Sequence, residues 1–275
     1  MGHWPIANAC PLFFDTSQTP TGCVSCAPVR YTFSIFSLHM PYTIESLVDA
    51  RNQALYDEVH GRLPVVLQPS TIPYWGTQFG EGSATVFMTP TEHPVASFTH
   101  ELLHLKLRLD GLVRPTVFTA RQIEMETVNF FYNELAHHKM FPLFLGMGFQ
   151  PTEFYSQLDA AQSHDLLAID LARLRMRRRA ERSLLTGLDV ARPYMLIYAP
   201  AELRASMVRY AQQLDELADR RFLRMLDDTL IEWIETDTLD LRRTLARIYR
   251  ACGITDVGFG FNAEGADLVL AREVE

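Results

Sequence analysis

Between Thr91 and Asp110 the chain reads TEHPVASFTHELLHLKLRLD. Val95, Phe98, Leu102, Leu103, Leu105, Leu107 and Leu109 spread apolar character around most of a helical cylinder, so a helix here belongs inside a core. Thr91 stands where an N-cap would, Pro94 suits the first turn, and Gly111 marks the stop, which places the helix over 91–110. A core helix must satisfy every polar group that it carries. This one carries His100, Glu101 and His104 near its middle.

The remaining pattern supplies neighbours for such a helix. Residues 1–28 are rich in Pro, Cys, Thr and Ser and are expected to be an irregular lead-in, and 29–39 alternate as a strand. Residues 43–60 fit a helix with Thr43 as cap and Gly61 just past its end. Short strands are expected at 63–69 and 83–89, separated by the Gly- and aromatic-rich loop IPYWGTQFGEGS. A second helix is expected from Thr119, where Thr119 and Gln122 have capping-box spacing, to about Phe144. Helical periodicity dominates from Pro151 to Cys252, interrupted near Gly187 and Pro193–Pro200, and the tail from Ile254 has the form of a hairpin. The order is that of an α+β protein, divided at about residue 150 into a mixed core, 1–150, and a mainly helical region, 151–275, packed on it.

Composition removes several classes of function. A net charge of −8 and a pI near 5.6 argue against general nucleic-acid binding. No apolar run approaches the ~20 residues that span a bilayer, and the first residues lack a basic segment followed by an apolar one. Four cysteines are too few for a disulfide framework in a chain of 275 residues, which can bury a full core without staples. The expectation is a cytoplasmic protein with no membrane partner; its oligomeric state is left open.

Two histidines four residues apart sit one above the other on a helix, so both imidazoles can reach one tetrahedral Zn²⁺. His100 and His104 have that spacing, and Glu101 between them is placed to take a proton from water at the ion. This His-Glu-x-x-His pattern points to metal-assisted hydrolysis of an amide. A strand, a helix with this motif and a second helix resemble the zincin metallopeptidases over roughly residues 63–146, about a third of the chain. The resemblance implies a zinc-dependent peptidase with a minimal zincin core and a protein or peptide substrate of narrow choice. It also implies that the strand before the motif, through Ala84, Thr85 and Val86, is an edge that pairs with an extended substrate.

The third zinc ligand is expected on helix 119–144. The segment after His104 lacks the metzincin Gly and His, so a gluzincin-like glutamate is favoured. Glu126, Asn133 and His137 share one stripe of that helix, and Glu126 with Asn129 is similar to the corresponding helix of the ImmA/IrrE-type metallopeptidases, in which cleavage of one regulator is typical. Glu134 is the alternative, because Asn133-Glu134 resembles the pair of thermolysin-like gluzincins; Glu124 and His137 remain open. His137 and Asn133 are otherwise expected to orient ligands or to stabilise the transition state, and Tyr132, Tyr155, Tyr194 and Tyr198 are unranked donors for an oxyanion. Cys23 and Cys26 form a lone CxxC, Arg173–Arg182 a basic face, and Tyr74 and Trp75 candidate cleft aromatics. The competing expectation is a catalytically silent module that acts through its helical C-terminal region.

Overall fold

The computed structural model describes residues 42–72, 74–119, 122–155, 220–261 and 267–274, with isolated helical positions between 168 and 216. The lead-in, the strand expected at 29–39, His3, Cys10, Cys23, Cys26, Tyr194, Tyr198 and most of the basic face lie outside the described residues.

The protein is mixed α and β. Alternation in ATVFM builds strand β3, Ala84–Met88, which turns Ala84, Val86 and Met88 into the core. It is the middle strand of three, parallel to β1 (Val65–Pro69) and antiparallel to β2 (Gly76–Phe79). Two sequence expectations change here. The stretch expected to be a loop contains β2, because Thr77 alternates inward while its backbone pairs with Val86. Ala84, Thr85 and Val86 are not an edge, since their hydrogen-bonding groups are taken on both sides; among the described residues the edges are β1 and β2.

The helix expected over 43–60 is two helices, α1 (Ile44–Leu47) and α2 (Gln53–Arg62), with Gly61 inside the second. Asn52 makes the break. Fully buried, its side chain accepts from the Asp49 amide at 2.8 Å and donates to the Leu47 carbonyl and Thr99 Oγ1, each at 2.9 Å. An asparagine that satisfies these backbone groups itself competes with a continuing helix. It also ties the turn to the next helix.

That helix, α3, runs from Pro94 to Leu109. Pro94 begins it directly, with His93 rather than Thr91 at the cap, because its fixed φ and missing N–H suit the first position. At the other end Leu112 N donates to Leu107 O at 2.8 Å and Gly111 N to Arg108 O at 3.2 Å. Gly111 adopts φ 111°, so the expected stop is a Schellman turn closed by the buried pair Leu107 and Leu112.

A short strand β4 (Thr116–Phe118), which the sequence pattern does not announce, precedes helix α4, described over Gln122–Gly146. A 3₁₀ turn, Pro151–Glu153, then brings Phe154 and Tyr155 back over α3 and α4. In the C-terminal region α5 (Arg220–Glu235) buries Leu223, Leu226, Leu230 and Trp233 on one stripe. It is followed by α6 (Arg242–Ala251) and the tail hairpin, β5 (Gly258–Gly260) with β6 (Val269–Leu270). β5 also pairs with β4, and one apolar cluster contains residues of both regions. Trp233 Nε1 donates to the Leu135 carbonyl of α4 at 2.8 Å, anchoring the C-terminal helices close to the site. Among the described residues no helix is long and apolar enough to cross a membrane.

Candidate metal centre

α3 presents His100 and His104 one turn apart, and α4 crosses it to bring up His137. The three ring centroids are 4.9, 5.0 and 5.1 Å apart, a nearly equilateral triangle. Ligand atoms from all three residues lie within 4.8 Å of one another. Three histidines could thus hold a metal ion.

Hydrogen bonds set which nitrogen of each ring is available. His100 Nδ1 is 2.9 Å from the Phe154 carbonyl oxygen. A carbonyl only accepts, so Nδ1 carries the proton and Nε2 keeps its lone pair. His137 Nδ1 lies 2.6 Å from the Tyr155 hydroxyl and 3.4 Å from Glu134 Oε1, and Tyr155 also hydrogen-bonds the Glu134 carboxyl. Donation from Nδ1 to the hydroxyl and from the hydroxyl to Glu134 satisfies this chain and leaves His137 Nε2 as the free donor atom.

His100 Nε2 and His104 Nε2 are 3.2 Å apart. A tetrahedron with metal–nitrogen bonds of about 2.0–2.1 Å has an edge of ~3.3 Å. The pair is spaced as two ligands of one ion would be.

Electrostatics point the same way. Burial holds His100 and His104 well below the ordinary imidazole range, with the neighbouring rings adding to the effect. Burial alone brings His137 down to about 3, and burial with help from His137 brings His138 to about 3. All four rings are therefore neutral near pH 7, the form that binds metal. Burial pushes Glu134 up to about 8. Its Oε2 is buried without a hydrogen-bond partner among the described residues, a costly arrangement that a nearby cation would relieve. A donor set of neutral imidazoles, one with a carboxyl group behind it, could hold a metal ion.

Glu101 follows His100 on α3 and is buried, with 6% of its surface exposed. Asn133 reaches Glu134 Oε1 through its amide at 3.5 Å. The side chains of Glu124 and Glu126 lie outside the described residues, although their backbone belongs to α4. Glu134 sits behind His137, whose ring completes the triangle. Trp75 takes a packing position: it is buried, its indole donates to the Thr89 carbonyl at 2.8 Å and its ring lies beside Tyr42. Tyr132 donates to Leu112 O at 3.4 Å. No side-chain pattern marks the Phe154 carbonyl, since it acts through its backbone, and Tyr155 is one of several tyrosines that the sequence does not rank.

No protein-family profile, curated protein or solved structure matches the chain.

Proposed function

We propose that the protein is a zinc-dependent peptidase in which His100, His104 and His137 hold the ion and Glu101 is the general base. The observation that carries this reading is the triangle of imidazoles around a His-Glu-x-x-His helix, with Nε2 of His100 and His104 spaced for ligation and Nδ1 of His100 and His137 already engaged. When bound, the ion supplies Lewis-acid polarisation of the scissile carbonyl and makes water acidic enough to attack near neutral pH. Glu101 takes the proton of the attacking water and returns it to the leaving amine. Glu134 and Tyr155 orient His137, and the Phe154 carbonyl orients His100.

The substrate strand is assigned to β2. Among the described residues it is an edge, and it packs beside α3, the helix that carries His100 and His104.

Elemental analysis and a peptide-library digest test the reading together. Protein purified without added metal should carry about one zinc per chain. Glu101→Gln should keep that zinc and lose at least ~10²-fold in cleavage. Zinc-loaded protein that cuts no library peptide, or a Glu101→Gln variant that cuts as well as wild type, would sink the peptidase assignment and leave a metal-holding regulatory module.

A further inference from the structure

One helical turn beyond His104, on the same side of α3, stands Arg108. Its guanidinium lies 4.2 Å over the ring of Phe79, the last residue of the edge strand β2. Stacking of this kind fixes the guanidinium plane and leaves its N–H fork open at the edge. The other cations at this end of the helix are neutralised: Arg62 and Lys106 both pair with Glu58 and Asp110. Among the described residues no carboxylate lies within ion-pair distance of Arg108. Arg114, just past the Schellman turn, bonds the neutral Asn129 side chain. The Tyr132 hydroxyl donates to the Leu112 carbonyl at 3.4 Å, in the turn between the two arginines, and both guanidinium groups favour its ionised form against the burial that pushes it up. In a protein of net charge −8, two arginines with no carboxylate partner among the described residues form a local cationic spot in an acidic molecule.

We propose that Arg108, with Arg114 behind it, is a specificity-determining pair that binds a carboxylate on a peptide laid along β2. The inference rests on the peptidase reading of the metal centre and adds to it the class of substrate: peptides acidic at one fixed distance from the bond that is cut. A planar fork held on Phe79 matches a carboxylate through two parallel N–H···O bonds. The carboxylate can belong to an Asp or Glu side chain or to a peptide C-terminus.

The test is equilibrium capture of a random octapeptide library by zinc-loaded Glu101→Gln protein, which binds without cutting. The library is used in two forms, with free and with amidated C-termini. The expected result is enrichment of acidic peptides by about tenfold or more over neutral ones, the size of a charge-assisted bidentate contact. Enrichment of Asp and Glu at one position in both forms identifies a side chain; enrichment lost on amidation identifies the terminus. Adding Arg108→Glu should reverse the preference toward Lys and Arg, and Arg108→Gln should abolish it without reversal, with zinc content unchanged in both. The proposal is overturned if acidic peptides are not enriched, if enrichment survives Arg108→Glu, or if no peptide is captured. Failure of the peptidase reading looks different: captured peptides that wild-type protein leaves uncut.

Discussion

Replacing His137 by Ala separates the triangle of histidines from the glutamate-completed site that the sequence favoured. His137 is 3% exposed, and its removal leaves the Tyr155 hydroxyl and the Glu134 carboxyl facing a hole. The metal-free variant should lose about 2–4 kcal/mol from the cavity and the stranded polar groups. A second, metal-dependent effect is diagnostic. Zinc at about a hundred times its dissociation constant stabilises the folded protein by about 2.7 kcal/mol. At about 2–4 °C per kcal/mol for a chain of this size, that is a rise of about 5–10 °C. Thermal melts with zinc and with chelator should show this increment in wild type, lack it in His137→Ala and retain it in Glu126→Ala. The converse, an increment kept by His137→Ala and lost by Glu126→Ala, would refute the argument from ring geometry.

Three further outcomes follow from the same structure. Trp233→Ala should cost about 3–5 kcal/mol in urea denaturation, because the indole is fully buried and its N–H holds the Leu135 carbonyl; weaker zinc retention should accompany it, since His137 lies two residues on. Gly111→Ala should cost about 1–2 kcal/mol by the same measurement with zinc content unchanged, because φ is 111° while a Cβ there meets no atom within 4 Å. In metal-free protein Glu134 titrates at about 8 when folded and about 4.3 when unfolded. The Glu134 site therefore binds more protons in the folded state between those values; the depressed histidines act in the opposite sense up to about pH 6.5, so the fall in stability shows between about pH 6.5 and 8 and levels off above. Glu134→Gln should flatten that slope in denaturation curves taken across pH, and a slope left intact would assign it elsewhere.

What could be read from the sequence was set by local periodicity. His100, Glu101 and His104 share a helix face by their spacing alone, and the stop at Gly111 needs only a residue that tolerates positive φ. The tail hairpin and β3 were legible in the same way. Features made by distant partners were not. Asn52 breaks a plausible helix because Thr99, 47 residues away, receives its amide. β2 resembles a loop until β3 is placed beside it, and once it is there β3 ceases to be an edge. The third ligand depends on how far α4 is rolled about its axis against α3. Glu126, Glu134 and His137 all lie on that helix, and no local pattern measures the roll.

The placement of the centre also explains why its first histidine, His100, is held firmly without a side-chain partner near it in sequence. Two of the three rings are oriented from adjacent residues outside both helices: His100 by the Phe154 carbonyl and His137 by the Tyr155 hydroxyl. The Phe154 ring packs against His100 at 4.6 Å and against Phe141 and Phe144 at 5.1 and 5.2 Å, so apolar burial of that ring positions the carbonyl that fixes the imidazole tautomer. Another apolar residue at 154 that fills the same space would leave the carbonyl in place, whereas loss of the phenol at 155 would remove the bridge between His137 and Glu134. The 3₁₀ turn at Pro151–Glu153 therefore couples core packing to ligand orientation, and a change in that turn reaches both α3 and α4 without touching a ligand.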